Sequence, residues 1–125
     1  MTTPLIPAAN APTFTLPGIE FTGLAAPSRG ATESAVWIVR IEAGTAGVPH
    51  QLTREEVFVV LEGRARATVN GADYDLAAGD GFIVPPFTNF ALANPYAESF
   101  RAVAVLPVGG GGVVDGDTFV PPWAR

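Results

Sequence analysis

Two side chains carry the chemistry this sequence can offer: His50 and Glu56, six positions apart in HQLTREE. An imidazole and a carboxylate can share a proton, hold a divalent cation, or move a proton on a bound molecule. Composition narrows the choice. His50 is the only His and there is no Cys. Disulfides, thiolate nucleophiles, cysteine metal sites and any cage needing two imidazoles from one chain are thereby excluded. Serine hydrolysis has no support, because Ser28, Ser34 and Ser99 show no G-x-S-x-G elbow. Asp115 and Asp117 in VVDGDTF form a D-x-D pair without further oxygen ligands at set spacing, so they read as a turn. Glu55, Glu62, Asp73, Asp75 and Asp80 read as turn or solvated-face acids.

The elements that must position His50 and Glu56 follow from composition and alternation. The chain has 125 residues, 48% hydrophobic and 15% charged, with 14 Gly and 12 Pro. This suits one domain of short strands and many turns. The net charge is −5, and the seven basic residues are all Arg, scattered with no stripe to neutralise phosphates, so no nucleic-acid partner is expected. No apolar run approaches a membrane span, and MTTPLIPAANAPTF lacks the basic and apolar regions of a signal peptide. A soluble cytoplasmic protein without a membrane partner is the expectation.

Residues 1–30, rich in Pro, are expected to form an extended N-terminal arm with one short strand around Phe14 or Phe21. Residues 31–108 read as the body. SAVWIVRIEA, VPHQL, EVFVVLEG, RARATVN, ADYDL, GFIVPP, NFALAN and FRAVAVLPV are strand-length segments bounded by Gly, Pro, Asn or Asp. In RARATVN, Arg64, Arg66 and Thr68 alternate with Ala65, Ala67 and Val69, and Asn70-Gly71 supplies a type I′ hairpin turn. Residues 109–125 read as a flexible four-glycine hinge and a tail. Its Phe119 and Trp123 should dock on the barrel or on a neighbouring chain. The sum is an all-β sandwich or barrel, and a jelly roll fits the length.

The stretch GTAGVPHQLTREEVFVVLEG resembles the first motif of the cupin superfamily, G-x5-H-x-H-x3-4-E-x6-G. Gly44, His50, Glu56 and Gly63 fall at the motif positions, with Leu52 in place of the second His. The second motif, G-x5-P-x-G-x2-H-x3-N, aligns with Gly79, Pro85 and Asn94, with Phe87 in place of the middle Gly and Phe90 in place of the His. The short interval between Gly63 and Gly79 is like that of small single-domain bacterial cupins. The resemblance implies a cupin jelly-roll barrel and a divalent metal held by three His and one Glu. Leu52 and Phe90 carry no lone pair to give, so only His50 and Glu56 would remain as ligands. No cofactor is therefore expected beyond a weakly held divalent metal.

With Leu52 and Phe90 inside, the barrel mouth becomes an apolar pocket with one polar corner, the usual construction of a small-molecule site. Alternation puts Phe58 and Val60 beside Glu56, and Leu92 beside Phe90. The leading expectation is a metal-independent protein that takes a small, largely apolar organic molecule, with His50 and Glu56 as acid and base of an isomerase, lyase or cyclase type. Three alternatives stay open. His50 and Glu56 can be a mutually hydrogen-bonded pair without chemistry, the protein can be a metal-dependent cupin oxygenase or isomerase, or it can be a sensor or storage module. Arg40, if it points inward, would anchor an anionic ligand, whereas an outward Arg40 would pair with a neighbouring acid. Arg101 shares this ambiguity, and Tyr96 stands either over the mouth or in solvent. The arm, the tail and the family's habit of exchanging terminal strands point to a homodimer.

Overall fold

Alternation of large and small residues organises the central strands. In the computed structural model, which describes residues 4–125, twelve strands form: β1 (Thr13–Leu16), β2 (Ile19–Gly23), β3 (Ser34–Ile41), β4 (Gln51–Leu52), β5 (Glu56–Glu62), β6 (Arg64–Val69), β7 (Ala72–Ala77), β8 (Gly81–Val84), β9 (Phe90–Ala93), β10 (Phe100–Pro107), β11 (Gly112–Val114) and β12 (Asp117–Phe119). Phe100, Ala102, Ala104 and Leu106 of β10 are fully buried. Ala104 lies in register between Trp37 of β3 and Phe58 of β5, so a small side chain makes room for two large ones. Helix among the described residues is limited to single 3-10 turns at Ala8–Asn10, Pro27–Arg29 and Pro122–Ala124. None of these helices is long and apolar enough to cross a membrane.

One sheet runs β1-β2-β3-β10-β5-β8, and two three-stranded sheets run β12-β11-β4 and β7-β6-β9. An antiparallel bridge between His50 and Phe90 joins β4 to β9, so the smaller sheets act as one layer facing the first. The result is an antiparallel jelly-roll barrel. The expected hairpin forms as read: Val69 pairs with Ala72, and Asn70 and Gly71 take φ of 48° and 82°, as a type I′ turn requires.

The ends of the chain depart from expectation. The extended arm proves to hold two strands: β1 and β2 form a hairpin whose second strand pairs with β3. Its turn is Pro17-Gly18, with Gly18 at φ 74°, the left-handed position that a type II turn assigns to Gly. The four-glycine stretch is not a hinge. Gly110, Gly111 and Gly112 are buried, and Gly112 pairs with Leu52 on one side and Phe119 on the other. A Cβ at Gly112 would meet the Phe119 ring at 2.9 Å, so Gly serves close packing there. Asp115-Gly116 turns the β11–β12 hairpin with φ of 51° and 81°.

Candidate functional site

β5 delivers Glu56, Phe58 and Val60 to the barrel interior by strict alternation, all three buried. On the facing layer, Leu52 and Phe90 are buried, and Leu92 is partly so. Between the layers lies a cavity of about 260 Å³. Phe21, Trp37 and Phe58 of the larger sheet face Phe90 across it, and Phe119 and Trp123 of the C-terminal segment complete its lining. Trp123 is held by a parallel stack on Phe21, with ring centroids 3.6 Å apart and planes 2° apart. The tail therefore docks on its own barrel.

Glu56 and His50 are the polar side chains in this wall. Glu56 is 4% exposed, and its carboxyl has no hydrogen-bond or ion-pair partner among the described residues. Burial without compensation penalises the carboxylate, and the pKa is pushed up to about 8. Glu56 is thus mainly neutral at pH 7 and can donate a hydrogen bond. His50 is placed by its backbone, which exchanges two 2.9 Å hydrogen bonds with Phe90. Its Nδ1 lies 2.8 Å from the Val48 carbonyl oxygen. A carbonyl only accepts, so Nδ1 carries a proton, and the lone pair of a neutral ring is at Nε2. No hydrogen bond or ion pair joins His50 to Glu56, so the self-satisfied pair of the sequence reading does not form.

The other expected site residues divide. Leu52, Phe58, Phe90 and Leu92 line the cavity. Val60, 2% exposed, faces inward but lies outside the lining, deeper in the core. Arg40 is corrected: it projects from the outer face of β3 and donates to Ser99 Oγ at 3.2 Å, while Trp37, Val39 and Ile41 take the inner face. A guanidinium keeps its hydration only on that outer side. Arg101 is also outside, 3.1 Å from Glu62. Tyr96 lies away from the cavity, with Arg64 4.0 Å from its ring centroid and its hydroxyl on Asp75. Asn94, fully buried, donates to the carbonyls of Ile41 and Glu98 at 3.0 and 2.7 Å and accepts from the Tyr96 N–H. It pins a corner of the barrel.

Sequence reading missed Trp37, Phe21 and Trp123 as walls. The signal for Trp37 was its alternation with Arg40; Phe21 and Trp123 are brought in only by long-range pairing. The metal that the fold family implies would have to be held by His50 and Glu56, and no group of three or more His, Cys, Asp or Glu gathers anywhere among the described residues. Two donors fall short of the set that zinc or ferrous iron takes, so these residues do not fit the group.

Residues 37–106 match the cupin domain family. No curated protein matches the sequence. Among solved structures, the chain is similar to the polyketide cyclase RemF from Streptomyces resistomycificus, with a TM-score of 0.77 at 14% identity over 97% of this chain and 83% of that one. It is similar to an RmlC-like cupin from Shewanella frigidimarina, with a TM-score of 0.73 at 20% identity over 85% and 91%. A salicylate 1,2-dioxygenase from Pseudoaminobacter salicylatoxidans, solved as an adduct with gentisate, gives 0.70 at 21% identity over 85% of this chain and 31% of that one. These likenesses concern the fold.

Proposed function

The chain belongs to the cupin domain family, and from that premise we propose that its barrel binds a small, largely apolar organic molecule without a resident metal, and that Glu56 and His50 move protons on it. The observation that carries this reading is the Glu56 carboxyl, buried and unpartnered in the wall of an aromatic cavity. A carboxyl without a protein partner must be completed from the cavity, by water or by a ligand that displaces it. The similar polyketide cyclase and the dioxygenase with gentisate support an organic occupant.

The roles follow from the proton inventory. Neutral Glu56 donates its O–H toward a carbonyl oxygen of the bound molecule and protonates it as charge develops. His50 Nε2 accepts a proton from an adjacent carbon or hydroxyl and returns it elsewhere. The apolar walls lower the local polarity around Glu56, which strengthens its interaction with a bound carbonyl. This is the chemistry of isomerisation, elimination or cyclisation, with no net oxidation.

Both tryptophans of the chain, Trp37 and Trp123, line the cavity, so occupancy is readable as fluorescence quenching. The test uses α-tetralone, an apolar ketone, in titration and in deuterium exchange at its α-carbon. Saturable quenching with exchange faster than in buffer is expected, and Glu56→Gln should keep the first and lose the second. Absence of quenching overturns the binding reading. Quenching without accelerated exchange overturns the proton-transfer half and leaves a binding module.

A further inference from the structure

The lining of the cavity does not stop at buried residues. Leu16 at the end of β1, Val48 in the loop before His50, Val114 at the end of β11 and Phe119 at the end of β12 also line it. These four side chains are between 41% and 67% exposed. Four separate segments therefore bring hydrocarbon to the mouth, continuous with the buried aromatic walls of Phe58 and Phe90. The order of polarity is the reverse of what a molecule with a water-seeking outer end would need: the Glu56 carboxyl sits in the buried wall and hydrocarbon meets the solvent. Apolar surface gathered in one exposed place is unfavourable in water until something covers it.

We propose that the bound molecule is longer than the cavity: an uncharged carbonyl compound whose head meets Glu56 and whose aliphatic remainder lies across the rim of Leu16, Val48, Val114 and Phe119. This rests on the binding role proposed above for the cavity. Volume supports it. Pockets that enclose most of a drug-sized molecule run to roughly 300–1,000 Å³, and this one offers about 260 Å³, so a molecule of that size must protrude. Where it protrudes, it meets hydrocarbon from four sides. Three of the four rim residues are aliphatic, whereas the buried walls are mostly aromatic, which suits a ring inside and a chain outside. The head is uncharged because no Arg stands among the described lining residues to pair with an anion. A fatty carboxylate would thus lack a guanidinium partner beside the Glu56 acid.

The test compares α-tetralone with α-tetralones carrying a methyl, butyl or octyl chain on the aromatic ring, on the side away from the carbonyl, by tryptophan quenching of the full chain. A fully buried methylene is worth about fourfold in affinity, and one half-covered by an open rim about twofold. The butyl compound should therefore bind on the order of tenfold tighter than α-tetralone itself. Leu16→Ser/Val48→Ser removes two exposed rim hydrocarbons and keeps the Val48 carbonyl that holds His50; it should flatten this gain. Val48→Ser alone, in a loop, should lose part of it. Val59→Ser, exposed on the outer face of β5, should keep it whole. If α-tetralone itself does not bind, the cavity reading fails and this inference with it. If α-tetralone binds and the chain adds nothing, the inference alone is overturned. A gain that survives in both rim variants, or is lost in Val59→Ser, also overturns it by placing the chain elsewhere. So does wild type that sediments with phosphatidylcholine vesicles in the absence of any ketone, which would assign the rim to a lipid surface.

Discussion

His50 and Phe90 form a single unit across the two short sheets: their backbones exchange hydrogen bonds of 2.9 Å in both directions, and their rings stand 4.3 Å apart at 47°. This bridge joins β4 to β9 and closes the second layer of the barrel. It also places an aromatic hydrocarbon beside the only imidazole of the chain. The position that would face His50 with a second nitrogen ligand is thereby given to the wall of the cavity, and the site becomes apolar without any change of fold.

That substitution of roles makes metal affinity a testable property of two positions. Leu52 and Phe90 both line the cavity with His50 and Glu56. Leu52→His/Phe90→His should therefore create a four-donor set and retain about one zinc or nickel per chain after desalting, measured by plasma mass spectrometry on untagged protein. The wild type should retain far less than one. Stoichiometric metal in the wild type that disappears in His50→Ala would reverse the assignment.

Glu56 should also govern how stability depends on pH. Its carboxyl titrates near 4.5 when unfolded and at about 8 in the barrel. Between these values the unfolded chain has lost a proton that the folded chain keeps, so rising pH favours unfolding. The stabilisation is complete below about pH 4.5, declines through the interval and levels off above about pH 8, for a loss on the order of 5 kcal/mol. Urea denaturation at about pH 5, 7 and 9 should show this decline in the wild type. Glu56→Gln, which cannot ionise, should remove most of the slope and be the more stable protein at the alkaline end. Parallel profiles for the two proteins would show that Glu56 is not the buried neutral acid described above.

Much of this arrangement was legible in the chain. Alternation in EVFVVLE and the Asn70-Gly71 turn are local signals, and both appear as read. The direction of Arg40 was not legible, because the outer face of its sheet is itself apolar at Val36 and Ile38. A strand flanked by hydrocarbon on both sides gives no contrast between inside and outside. Proline content disguised β1 and β2, whose stability comes from pairing with β3 and not from propensity. The glycine run was misleading for the opposite reason. Composition suggests freedom, whereas Gly111 and Gly112 are confined by Phe119.

Phe87 offers a check on backbone strain. It replaces the middle Gly of the second motif and takes φ 53°, a left-handed conformation that costs an L-residue with a side chain about 1 kcal/mol. Its ring is 62% exposed, so little burial offsets that cost. Its N–H is fixed on the Leu52 carbonyl at 2.7 Å, which holds the conformation in place. Phe87→Gly should raise the free energy of unfolding by at most about 0.5 kcal/mol, since a relief of about 1 kcal/mol is largely offset by the added chain entropy of about 0.5–1 kcal/mol. A loss of stability in urea denaturation would show that the ring makes a contact worth more than the strain.

Ligand binding should follow the same proton that governs stability. A neutral Glu56 donates to a carbonyl oxygen, while an ionised Glu56 repels it and prefers water to the cavity. The affinity for α-tetralone, read by quenching of Trp37 and Trp123, should be constant up to about pH 7 and fall on the order of tenfold or more once pH passes about 8. Glu56→Gln retains an N–H donor of similar shape, so its affinity should stay level across the range. Arg40→Ala, altered on the opposite face of β3, should leave the wild-type curve unchanged. A wild-type curve without the alkaline fall, or one abolished by Arg40→Ala, would place the ligand away from Glu56 and outside the aromatic cavity.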